Sequence, residues 1–313
     1  MQRSYWDAHF HIPRRGQEDL SVFLSRCEAE GLTHFFAGGY DPADWQRQLT
    51  LKLSFQGKLK NSFGLHPWWI ADNPDKSKEA IQLLAEMLPQ ADALGECGLD
   101  YFYIEKLAGN KGPIDKDYLK ALQFELFAEQ LELAQKYQKP AVLHIVKALE
   151  PALKAIDETK CQVTQTCDLL NRDPKVKYRI APERYENPPN STAELATATL
   201  KSSKRNDVLG IVHSCPAKRE WIYEFQRRGL LVSFGPSILK KSRLELAAAL
   251  KEVNPARMLV ETDFSGEGLG DYDPKTLFRV AKAAGSALGL SEEEVLGYSA
   301  QALESLFSKK SIQ

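Results

Sequence analysis

The chain has 313 residues, 43% hydrophobic and 27% charged, with 41 basic against 42 acidic side chains. This balance fits a globular enzyme with room for one large barrel or two ordinary domains, and it excludes a strongly basic protein that coats nucleic acid by bulk charge. The five cysteines, Cys27, Cys97, Cys161, Cys167 and Cys215, contain no Cys-x-x-Cys pair, which argues against a zinc ribbon or a disulfide framework. No run of about 18 apolar residues occurs and the N-terminal stretch has no apolar signal core, so a cytoplasmic protein without membrane contact is expected.

Taken in order, β-branched and aromatic runs predict strands at residues 4–12, 33–38, 61–66, 93–98, 140–145, 208–214, 230–235 and 258–263. Helical patterns lie between them, as at 19–30, 75–88 and 117–137. In the last, Leu122, Leu126, Phe127, Gln130, Leu133 and Ala134 recur at helical spacing. Eight strand–helix repeats predict an α/β fold, a (β/α)8 TIM barrel with residues 1–313 as a single domain. A doubly wound open sheet is the alternative, but the first strand lacks a glycine fingerprint. Residues 160–207 break the rhythm as a polar insertion between the fifth and sixth strands, containing Asn187-Pro188-Pro189-Asn190. If residues 149–158 are the fifth helix, the insert lies at the far face; if residues 192–204 are, it overhangs the site. Its Lys175, Lys177, Arg179 and Arg184, with Tyr178 and Tyr185, suit a nucleic-acid backbone, a protein partner or plain solvent.

The first strand carries Asp7-Ala8-His9-Phe10-His11. Residues two apart on a strand share a face, so Asp7, His9 and His11 are expected to point together into the barrel. Two readings fit the histidines: a pair of metal ligands, or a hydrogen-bonded core pair. The chain has six histidines, and five of them (His9, His11, His66, His144 and His213) fall near the C-terminal ends of predicted strands, where barrel enzymes place their chemistry. His34 begins its strand and is expected to be structural. Glu96 and Asp263 add carboxylates at two further strand ends, where a buried acid implies a cation or a hydrogen-bond network. Glu261 shares the face of Asp263 but lies deeper, so a supporting role is expected. Cys97 is expected to fill space, and Arg14-Arg15 and Lys240-Lys241 to face solvent. Trp68-Trp69 offers either a base-stacking platform or a packed aromatic shelf.

The segments Asp7-Ala8-His9-Phe10-His11, Gly64-Leu65-His66-Pro67, Gly95-Glu96-Cys97-Gly98-Leu99-Asp100, Leu143-His144, Val212-His213 and Glu261-Thr262-Asp263 resemble the ordered motifs of the TatD family. These are barrel metal-dependent deoxyribonucleases of the amidohydrolase-like superfamily. No segment is specific alone; six in order, from about Tyr5 to Phe307, are. The resemblance implies two divalent ions (zinc, magnesium or manganese). His9, His11, Glu96 and Asp263 would hold one, and Glu96, His144 and His213 the other. It implies His66 beside the substrate phosphate, Asp263 as general base, and DNA as substrate. Asp7 would orient a histidine ring, and Trp68 and Lys147 would lie near substrate. Three positions depart from the family pattern: Val146 replaces an arginine, Phe264-Ser265 a proline, and Ser214-Cys215 a cysteine–phenylalanine pair. The lost arginine motivates a rival, a same-fold hydrolase of an amide, lactone or small phosphoester. A non-catalytic partner docking through the insert is the second.

Overall fold

A computed structural model describes residues 4–13, 20–111, 114–170, 210–251 and 253–308. The eight expected strands all form: β1 (Tyr5–Phe10), β2 (Leu32–Ala37), β3 (Leu59–Phe63), β4 (Ala93–Asp100), β5 (Ala141–Val146), β6 (Gly210–Val212), β7 (Leu230–Phe234) and β8 (Met258–Val260). They pair in parallel in sequence order. Past its last ladder, the β8 end closes against β1 through a parallel Phe10–Phe264 bridge and the bond from His11 N to Phe264 O (2.7 Å). The helices are α1 (Leu20–Ala29), α2 (Pro42–Lys52), α3 (Pro67–Asp72), α4 (Ser77–Met87), α5 (Tyr101–Lys111), α6 (Lys116–Lys136), α7 (Leu149–Leu170), α8 (Arg219–Gln226), α9 (Arg243–Leu250), α10 (Lys275–Leu288) and α11 (Glu292–Ser308). This is the TIM-barrel alternation.

The buried side chains divide into two main layers, because strand neighbours point to opposite faces. Leu94, Leu143, Val212, Val232 and Val260 pack outward against the helices. Trp6, Ala8, Phe36, Ala93, Val142, Ile211, Leu231 and Leu259 pack inward. The inward set lies early in the strands and is covered by Ala300, Leu303 and Leu306 of α11, with Phe307 against Trp6 and Phe36. The C-terminal helix therefore stoppers the N-terminal end of the barrel.

Two expectations change in detail. Strands β6 and β8 end at Val212 and Val260 rather than at 214 and 263, so His213 and Asp263 stand on the loops just beyond. The helix after β5 runs directly from Leu149 and takes in residues 160–170 of the expected insert; its remainder, to 207, lies outside the described residues. Among the described residues, no helix is long and apolar enough to cross a membrane.

Candidate metal centre

Two register shifts build the site. In β1, Trp6 and Ala8 face inward and Phe10 outward, with the pairing to β2 shifting between Asp7 and Phe10. His9 is therefore turned inward beside Ala8. In β4, Ala93 faces inward while Leu94 and Cys97 face outward, and the shift between Gly95 and Cys97 brings Glu96 inside. Such a shift inserts one extra residue and re-aims a side chain. The expectation that Asp7, His9 and His11 share one face is therefore corrected. Asp7 points away from the ligand rings: its carboxylate accepts from Thr262 N (2.9 Å), Thr262 Oγ1 (2.6 Å) and the Tyr272 hydroxyl (2.8 Å). It binds the backbone N of His9 (3.3 Å), not a ring, and so ties β1 to the β8 loop.

Glu96 is the hub. Its Oε1 lies 3.4 Å from His9 Nε2 and 3.2 Å from His11 Nε2. Its Oε2 lies 2.6 Å from His213 Nε2, 3.7 Å from His144 Nδ1 and 3.8 Å from His66 Nε2. One carboxylate thus puts an oxygen into each of two histidine groups. Asp263 joins from the β8 side, where its ligand oxygen clusters with His9 and His213. Its backbone is left-handed (φ 49°), and its N–H is pinned to His9 O at 3.0 Å. The arrangement leaves no room at Gly38: a Cβ there would stand 2.3 Å from His9 Cε1 and 2.8 Å from Glu96 Oε1.

The donor set fits divalent cations. Both Glu96 oxygens, both His9 ring nitrogens and His213 Nδ1 are buried with no hydrogen-bond partner, an expensive state for polar atoms unless a cation completes it. Burial pushes the Glu96 carboxyl up, but His213, His9 and His11 outweigh it and hold it well below the usual carboxylate range. Burial resists protonation of His9, yet Glu96 lifts it to about 9. His144 reaches about 9 against the same burial through Asp100 and Glu96. A proton on these rings stands where an ion would otherwise sit.

The remaining residues divide by orientation. His144 Nε2 meets Asp100 Oδ2 at 3.1 Å, which leaves Nδ1 facing His213 Nε2 at 2.9 Å and Glu96 Oε2 at 3.7 Å. His66 behaves in the opposite way: its Nδ1 accepts from Trp68 N (3.1 Å), so the neutral ring carries its hydrogen on Nε2, facing Glu96. Burial, then neighbouring His144, keeps His66 well below the usual histidine range. With Glu96 and His144 it forms a further group whose ligand atoms lie close enough to hold an ion. Trp68 donates from Nε1 to Asp100 Oδ2 (2.6 Å), stacks on Tyr103 with centroids 5.0 Å apart, and walls the cavity. Glu261 lies beneath, accepting from Ser214 N at 2.6 Å and standing 3.9 Å from His213 Nδ1. Lys147 is not brought to the site; its ammonium sits over the Phe102 ring, 4.5 Å from the centroid. His34 is structural, stacked on Trp6 at 4.6 Å.

Sequence reasoning gave no role to Asp100, Tyr40, Asp44 or Arg47. Asp100 closes a motif already singled out, so its place was readable. Tyr40, which stacks on His66, and Asp44 and Arg47 of α2 line the cavity, and only the packing of α2 shows that. The cavity measures about 610 Å³.

Comparison with known proteins places this geometry. The model of the family described as TatD-related DNase matches residues 6–308. The uncharacterized metal-dependent hydrolase YabD of Bacillus subtilis is 23% identical over 261 residues, covering 82% of this chain and 79% of that protein. The corresponding Escherichia coli protein YjjV is 31% identical over 142 residues, 44% of this chain and 49% of its own. The crystal structure of YjjV, a TatD homologue, superposes with a TM-score of 0.67 at 20% identity, covering 98% of both chains. A TatD-family hydrolase from Entamoeba histolytica superposes with a TM-score of 0.64 at 17% identity, over 99% of this chain and all (100%) of the other. These superpositions show a shared barrel.

Proposed function

The chain belongs to the family of TatD-related DNases, and from that premise we propose that it hydrolyses phosphodiester bonds of DNA with two divalent ions. The coarser statement, a metal-dependent hydrolase, follows from the family, from relatives so described and from the clustered donors. The observation that carries the finer reading is Glu96, with one oxygen in each of two histidine groups. His9, His11, Glu96 and Asp263 would hold one ion, and Glu96, His144 and His213 the other. When bound there, the ions supply Lewis acidity, acidifying water and offsetting charge on the phosphoryl oxygens.

The chain's own groups do the rest. Asp263, anchored through its backbone at the cavity floor, accepts the proton of the attacking water. His66 presents its Nε2 hydrogen to a non-bridging phosphate oxygen. Asp100 holds His144 in the tautomer that leaves Nδ1 free of hydrogen. A cavity of about 610 Å³ suits a strand end or single strand better than an intact duplex.

The test is a substrate panel of single- and double-stranded DNA, a phosphomonoester, an amide and a lactone, assayed with magnesium, manganese or zinc and then with chelator. Metal-dependent cleavage of DNA is expected. Turnover of the amide or lactone with no phosphodiester cleaved under any metal would sink the reading.

A further inference from the structure

The cavity has one more polar feature, carried by α2. Among its described lining residues, Arg47 is the single lysine or arginine. Ile145 and Val146 of β5, which also line it, are apolar. Arg47 is held from behind: its Nη2 lies 2.5 Å from Asp44 Oδ1. Asp44 is 3% exposed, and its Oδ2 accepts from Tyr40 N and Gln48 Nε2, both at 3.1 Å. Gln48, wholly buried, also donates to Gly38 O at 2.8 Å. The chain Arg47–Asp44–Gln48 thus ends on the glycine that makes room for His9 and Glu96.

This arrangement fits a ligand contact better than a surface ion pair. A guanidinium has five N–H donors, and the contact with Asp44 uses Nη2 alone. The Nε of Arg47 is buried without a partner, while 29% of the side chain remains open. Asp44 offsets much of the positive charge, so what the pair adds is direction: planar donors held in one place, the geometry that grips a tetrahedral anion. Preorganisation of this kind lowers the ordering cost of binding.

We propose that Arg47 forms an anion subsite that grips a second phosphate of the substrate, one that is not cleaved. The proposal rests on the phosphodiesterase reading for the identity of the substrate, but the subsite itself can be tested by binding. Its consequence is a preference for substrates that carry another phosphate beside the scissile one.

The metal-loaded wild type, Arg47→Ala and Arg47→Lys are assayed on a thymidine dinucleotide with and without a terminal phosphate, placed at either end. Binding of thymidine monophosphate to each protein is measured by calorimetry. The wild type is expected to favour one phosphorylated dinucleotide. In Arg47→Ala the ratio of kcat/KM values between the two substrates should fall about tenfold or more, mainly through KM, with a matching loss of monophosphate affinity. Arg47→Lys should fall between, keeping the charge but losing the planar fork. Arg47-dependent monophosphate binding without cleavage of either dinucleotide would leave the subsite standing and end the phosphodiesterase reading. An unchanged ratio or affinity in Arg47→Ala, a loss confined to kcat, or no monophosphate binding by the wild type would overturn the subsite. If Arg47→Ala unfolds at the assay temperature, Arg47→Lys decides by the same measures, since it keeps a cation beside Asp44.

Discussion

At the scale of single residues, the site works by giving each polar atom one direction. Asp263→Asn keeps an oxygen toward the metal group but has no basic oxygen to take a proton. Turnover at saturating metal should fall by at least about a hundredfold, while metal content measured by elemental analysis falls far less. Gly38→Ala tests space rather than chemistry. A methyl 2.3 Å from His9 Cε1 must displace the ring, so bound metal should be largely lost while circular dichroism still reports a folded barrel. The histidines and carboxylates of this constellation were legible because their strand-end placement and order are features of the sequence. Arg47 and Asp44 were not. Asp41 before Pro42 announces the start of α2, yet nothing in its spacing says which face meets the cavity.

At the scale of elements, the useful error was Asp7. A strict period of two put it beside His9, and the shift in β1 put it on the other side, where it holds Thr262 and Tyr272. Each extra residue in β1 and β4 brings the next side chain inward, and no residue type in Ala8-His9 or Gly95-Glu96 encodes that unaided. The eight strands were recoverable because each is a short apolar run between helices. Their exact ends were not, since β6 and β8 stop after three residues and the backbone turns left-handed at Ser214 and Asp263. The last helix was also unassigned in function. Leu303 of α11 is wholly buried in the lumen cluster, so Leu303→Ala should cost about 2–5 kcal/mol in chemical denaturation, from lost burial and the cavity left behind. A cost under about 0.5 kcal/mol would mean that α11 does not stopper the barrel.

At the scale of the whole molecule, metal and protons compete for the same fold. His9 and His144 are lifted to about 9 in the folded protein, above an ordinary value near 6.5. The folded state therefore holds protons that the unfolded state has released, and stability falls as pH rises from about 6.5 to 9. His66 and His213, held low by burial, act only below that window, where their neutral rings make acid destabilising. Chelator-treated protein should thus lose melting temperature between pH 6.5 and 9. Metal-loaded protein should lose much less, because ions then occupy the place of those protons. The described residues supply eight strands paired in sequence order. Replacing residues 171–207 by a short linker should leave a folded, metal-binding barrel, checked by circular dichroism and metal content. Failure to fold would show that the barrel depends on them. Finally, α11 covers the N-terminal end of the strands, while the cavity lies at their C-terminal end. On the proposed reading, product leaves from the same end of the barrel at which substrate arrives. Product should therefore compete with substrate, which initial rates measured with added product would reveal.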